Sequence, residues 1–99
     1  MPNGLKNWTF KNVVDFLKQH FFIFDERTNG SHHFYKGKVN GEVKIVEVQF
    51  HGTKDISPKC LQHDIIPKTG IPQKFWIDWA SAGNKKAQKK VQCKYAEKL

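Results

Sequence analysis

Only two cysteines occur in the 99 residues, Cys60 and Cys93. They lie far apart and outside any paired metal or redox spacing, so reduced thiols of a cytosolic protein are the simplest account. No apolar run approaches the roughly 18 residues that a membrane span needs. The first twenty residues mix Asn, Lys, Asp and Gln with the apolar ones and hold no continuous apolar region of a signal peptide. The expectation is a cytoplasmic protein with no membrane partner. A glycine-rich nucleotide-binding loop is missing as well. Acidic residues are scarce, 9 against 17 Lys and Arg. The one adjacent acidic pair, Asp25-Glu26, falls in a turn where the side chains point apart, which argues against a paired-carboxylate site.

What is present is basic and aromatic. The net charge is +8, and eight Phe, three Trp and two Tyr stand in the chain. Residues 1–80 carry 11 basic and 8 acidic groups, whereas residues 81–99 carry six Lys and only Glu97. Such a balance favours an anionic partner, nucleic acid being the commonest, although a lysine tail also serves solubility. The length suits one domain that buries about two-thirds of its unfolded surface. The division drawn is a domain over residues 1–80 and a basic extension over 81–99.

Thr9 is the expected N-cap of a first helix running to about His20. Phe10, Val13, Val14 and Leu17 recur at i, i+3, i+4, i+7, with Phe16 at the margin of that face. Trp8 is placed to close over Val13 as a staple. Residues 21–24, 32–36 and 43–50 read as strands, and Asn40-Gly41 is a strong hairpin signal. In the last strand Val46, Val48 and Phe50 share one face; the other starts apolar and ends in Glu47 and Gln49, which predicts one more polar side. Ser57-Pro58 opens a second helix, Pro67 strains or ends it, and Gly70 suits its exit. A short helix with Phe75, Trp76 and Trp79 follows Ile71-Pro72. Beyond Ser81 a thin helical stripe of Val91, Tyr95 and Leu99 competes with disorder. The expected class is α+β, an antiparallel sheet of three strands with helices on one face and a helical C-terminal extension.

The stretch Gly30-Ser31-His32-His33-Phe34-Tyr35 carries the chemistry. Glycine bends the chain into a strand, and two imidazoles stand at its mouth, where such a group titrates near neutral pH. Cleavage of RNA without metal needs a base to take the 2′-OH proton and an acid to protonate the leaving 5′ oxygen, work an imidazole does for roughly 10²–10⁴-fold each. Alternation along a strand sends His33 to the face opposite His32, so both do not reach one phosphate. Lys36 shares the His32 face and suits phosphate, as does Lys38, though an exposed strand lysine needs no such role. Tyr35 offers a ring for an unpaired base or for simple sheet packing. Gly30 and Ser31 shape the loop and present amides to phosphate. Cys60 and His63 stand one helical turn apart, and with His51 they invite a metal reading, but no full set of ligands can be named. No metal and no cofactor is expected.

With these residues in hand, the chain resembles the HicA toxin family. The likeness rests on Gly30-Ser31-His32, on a third strand running into His51-Gly52 and a polar link to Ser57-Pro58, and on Gly70-Ile71 after the last family-like helix; it covers about residues 8–77. His20 stands where the family has a glycine, Gln49 replaces a common proline, and the segment beyond Trp79 has no counterpart. The resemblance implies an α-β-β-β-α fold similar to a double-stranded RNA-binding domain. It also implies a messenger RNA interferase held silent by a cognate HicB-like antitoxin, and it points to His32 as the catalytic residue. The RNA contacts expected around it are Gly30, Ser31, His33, Tyr35, Lys36 and Lys38. The alternative is a non-catalytic RNA-binding module of similar fold.

Overall fold

The computed structural model describes residues 2–26, 30–50 and 54–99. Thr9 ends a two-residue strand, β1 (Trp8–Thr9), and caps α1 (Phe10–Gln19). Its Oγ1 accepts from the Asn12 amide at 3.2 Å, and Asn12 Oδ1 accepts from the Thr9 amide at 2.9 Å. Two N–H groups are thus satisfied reciprocally, as in a capping box. Val13, Val14 and Leu17 are buried, as the spacing predicts. Phe16 is not marginal. It is fully buried and stacks on Trp76 with ring centroids 3.9 Å apart. The Trp8 ring, expected over Val13, makes its aromatic contacts with Phe16, Trp76 and Trp79.

The helix closes where a strand was expected to begin. The Phe21 amide donates to the Lys18 carbonyl and the Phe22 amide to the Leu17 carbonyl. That is the double bond of a Schellman turn, with Phe21 in the left-handed position at φ 67°. A glycine would sit there without the roughly 1–2 kcal/mol that a side chain costs. Phe21 and Phe22 are therefore spent on the turn, and β2 is only Ile23–Phe24.

β2 pairs with β3 (His32–Val39), and β3 with β4 (Glu42–Gln49), all antiparallel. Asn40 at φ 55° and Gly41 at φ 76° make the two-residue hairpin turn that their sequence signals. Gly37, beyond the expected strand end at residue 36, lies inside β3. The Phe22 ring covers it so closely that a Cβ there would come within 2.5 Å of that ring. Tyr35, Val39, Val46 and Val48 face the core shared with α1. The opposite face, with His32, Phe34, Lys36 and Lys38 beside Val43, Ile45, Glu47 and Gln49, is exposed or half-buried. One side of the sheet is therefore the more polar, as expected.

β5 (Asp55–Ile56) pairs back with β1. Ser57 then caps a helical run over residues 58–69, its Oγ accepting from the Cys60 amide at 3.1 Å. The run is α2 (Pro58–Cys60), a π-helical turn (Leu61–Ile65) and α3 (Ile66–Thr69). Pro67 does not end it. A proline clashes with the carbonyl four residues back, and the wider turn just ahead of it absorbs the mismatch. Gly70 ends the run at φ 74°. α4 (Gln73–Ser81) brings Trp76 and Trp79 into the core.

The C-terminal segment departs from expectation in kind. It is neither one continuous helix nor a loose tail. One helical turn, α5 (Lys85–Gln88), is followed by a strand, β6 (Ala96–Glu97), that pairs with β3 beyond the end of β2. The sheet therefore has four strands rather than three. Tyr95 of the supposed stripe is exposed, while Gln88, Cys93 and Ala96 are buried. No helix among the described residues is long and apolar enough to cross a membrane.

His20 ties the two ends of the chain together. It is fully buried, with Nδ1 2.9 Å from the Phe16 carbonyl and Nε2 3.0 Å from the Cys93 amide. Since an amide only donates, Nε2 is the acceptor and the ring is neutral with its proton on Nδ1. Burial holds its pKa below the ordinary 6.5, against the smaller raising effect of the Phe16 carbonyl. A group more acidic folded than unfolded stabilises the fold only while it is neutral, so its contribution is full above about pH 6.5 and is lost as the pH falls below that. Melting temperature should drop between pH 7 and 5.5, and His20→Phe should flatten that dependence while lowering stability at pH 7. A variant with the wild-type slope would assign the acid sensitivity elsewhere.

Candidate functional site

The mouth of β3 is built from both ends of the hairpin. Gly30 turns at φ 60°, and the Ser31 carbonyl accepts from the Phe50 amide at 2.8 Å, which clamps the start of β3 to the end of β4. Gly30 and Ser31 are exposed. His32, the first residue of β3, faces Gln49 across the ladder. Its Nδ1 lies 3.0 Å from Glu47 Oε2, one diagonal step away. The side chains of the two are 51% and 40% exposed, so the pair is open to solvent yet fixed in direction. An ionised carboxylate only accepts, which places the His32 proton on Nδ1 and leaves the Nε2 lone pair for a substrate proton. A hydrogen bond that fixes the tautomer and orientation of an imidazole is the usual preparation for proton transfer.

His33 leaves on the other face, as alternation predicts. It is half-buried within a ring cluster, 5.1 Å from Phe10, 5.9 Å from Phe24 and 5.8 Å from Phe50 between centroids. It shares no phosphate with His32. Of the two readings open to Tyr35, a ring for an unpaired base or sheet packing, the structure places it in the packing. It is 4% exposed on the core side, 5.8 Å from the Phe24 ring, and burial pushes its hydroxyl pKa up. Strand alternation decides this, since Tyr35 shares parity with His33 and not with His32. Lys36 and Lys38 do lie on the His32 face. Lys36 is four residues along, about 13 Å of backbone at the rise of a strand. Lys38 stands 3.9 Å from Glu97 of β6.

Cys60 is half-buried and His63 exposed, and no group of three His, Cys, Asp or Glu suited to an ion occurs among the described residues. Burial first, then the Asp64 carboxylate, push the Cys60 thiol pKa up, away from the thiolate that would bind a metal. His51, with Gly52 and Thr53, lies outside the described residues.

Two features were not anticipated. In sequence Glu47 is only one of the polar residues on its face. The signal that reveals it is the Asn40-Gly41 turn, because a two-residue hairpin fixes every pair symmetrically about itself. His32 must then face Gln49, and Glu47 must stand on its diagonal. The second feature is a groove of about 660 Å³ between the open sheet face and the 58–69 helical run, with Glu47 on its rim. Residues that far apart in sequence give no local signal. No family model, curated protein or solved structure matches this chain.

Proposed function

We propose that this chain is an endoribonuclease that cleaves single-stranded messenger RNA, the toxin of a toxin–antitoxin pair of the HicA type. Its elements would correspond to the α-β-β-β-α order of a double-stranded RNA-binding domain, with β6 added. The observation that carries the reading is the His32–Glu47 pair, an oriented, solvent-facing imidazole on the open face of a sheet in a protein of net charge +8. In the proposed reaction His32 Nε2 takes the 2′-OH proton, the 2′ oxygen attacks phosphorus, and the bond to the 5′ oxygen breaks. The same imidazole, once protonated, returns a proton to the leaving oxygen. Glu47 holds the ring and balances the charge that forms on it. A protein antitoxin is the implied partner, acting with the enzyme in the cytoplasm.

Attack by the 2′ oxygen predicts a product ending in a 2′,3′-cyclic phosphate, formed in the presence of a chelator. Incubating the purified protein with a single-stranded RNA and excess EDTA, then identifying the new ends, tests both points. Activity lost to EDTA and restored by Mg²⁺ or Mn²⁺ would overturn the mechanism. Binding of RNA with no cleavage would favour the non-catalytic module, to which the exposed lysines of residues 85–98 would suffice.

A further inference from the structure

We propose that the groove beside His32 is a base pocket, taking an adenine, cytosine or guanine of the RNA next to the cleaved bond and rejecting uracil. This rests on the reading of the chain as an RNA-cleaving enzyme. The groove holds about 660 Å³, within the roughly 300–1,000 Å³ of small-ligand sites and ample for one nucleotide. Phe34 and Ile45 of the sheet form one apolar wall, and Ile56 and Ile65 belong to the other. Apolar side chains on both sides suit a base better than a sugar-phosphate.

The polar groups point the same way. Glu47, Asp55 and Asp64 line the groove against one cation, Lys68, among the described lining residues. That excess of acceptors is the reverse of the whole chain, which carries +8. A phosphate is disfavoured inside such a groove, and His32, outside the lining, stands 3.0 Å from the lining residue Glu47. What the groove attracts is a planar group rich in N–H donors. Adenine, cytosine and guanine each present an exocyclic amine to a carboxylate. Uracil presents two carbonyl oxygens flanking its single N–H, and these would face the carboxylates. A base in the groove and its phosphate at the rim are separated by the sugar that bears the attacking 2′-OH.

The molecule carries its own probe. Cys60 lines the groove and is half-buried, whereas Cys93 is 1% exposed. Thiol alkylation of the native full-length protein therefore reports on Cys60. The nucleoside 3′-monophosphates of adenine, cytosine, guanine and uracil are added separately at millimolar concentration, and RNA cleavage is measured in parallel. The expected result is that the first three slow alkylation severalfold more than the uridine compound. Asp55→Asn, at another carboxylate of the groove lining, should remove most of that severalfold preference, the scale of one good base contact. Equal protection by all four compounds, or cleavage without protection by any, overturns the pocket and leaves the enzyme reading standing. Protection with the expected preference but no cleavage supports the pocket and sinks the enzyme reading. Protection by a lysine-rich peptide and by no nucleotide overturns the pocket in favour of a protein partner.

Discussion

Replacing His32 by alanine should abolish RNA cleavage while leaving the fold intact. The group lost is the proton carrier of the proposed reaction, and removing it costs roughly 10²–10⁴-fold for each of the two transfers it serves. Stability should barely change, because His32 is half exposed and its partner Glu47 returns to solvent without penalty. Two neighbours calibrate the result. Glu47→Gln keeps a hydrogen-bonding side chain at 3.0 Å from the ring but removes the charge opposite it, so its loss should be smaller than that of His32→Ala. His33→Ala empties a place among the Phe10, Phe24 and Phe50 rings, and should lower the melting temperature more than the turnover. A folded His32→Ala protein that cleaves at the wild-type rate would remove the basis for the proposed mechanism.

Truncation after Ala80 should destabilise the protein severely, to the point of unfolding at ordinary temperatures. The segment removed is bound into the domain at several points. Gln19 Nε2 donates to the Gln88 and Val91 carbonyls at 2.9 and 2.8 Å, the Cys93 amide donates to His20, and the Asn40 amide donates to the Tyr95 carbonyl. At about 1 kcal/mol net for each such bond, these four alone amount to roughly 4 kcal/mol. Truncation also uncovers β3 where β6 pairs with it and leaves His20 Nε2 without its donor. A domain of this size holds about 5–15 kcal/mol in all. Circular dichroism and a thermal melt on the truncated chain check this. A cooperative melt within a few degrees of the full protein would show that the segment is an appendage. The question of RNA contact needs substitution instead, because truncation confounds it. Lys85, Lys89 and Lys90 are exposed, and changing all three to Gln should leave the melt unchanged. If each meets a phosphate of a single strand, the log–log salt slope of RNA binding should flatten by about 2.

The proposed chemistry depends on how the mouth of β3 is built. Within that chemistry the strongest link runs through one hairpin. The turn at Asn40-Gly41 sets the register, the register sets the His32–Glu47 diagonal, and the diagonal orients the imidazole. A slip of one residue would turn His32 to the core side and bring His33 out.

Local chemistry sufficed wherever a residue acts on its sequence neighbours. Thr9 and Ser57 as caps, Gly70 as a helix exit, the apolar face of α1 and the hairpin turn all follow from side chains within a few positions of one another. So does the separation of His32 from His33, which is a property of any extended chain. Only the tertiary structure decided what distance along the chain conceals. Phe21 and Phe22 look like strand residues, yet the Schellman turn uses them, because Phe22 is needed over the bare backbone of Gly37. Residues 81–99 look like a solvated tail, since their charge is local, but the edge of β3 beyond β2 offers a ladder and His20 offers an acceptor 73 residues away. The groove exists only because the 58–69 helical run passes beside a sheet face whose own sequence cannot report what stands across from it.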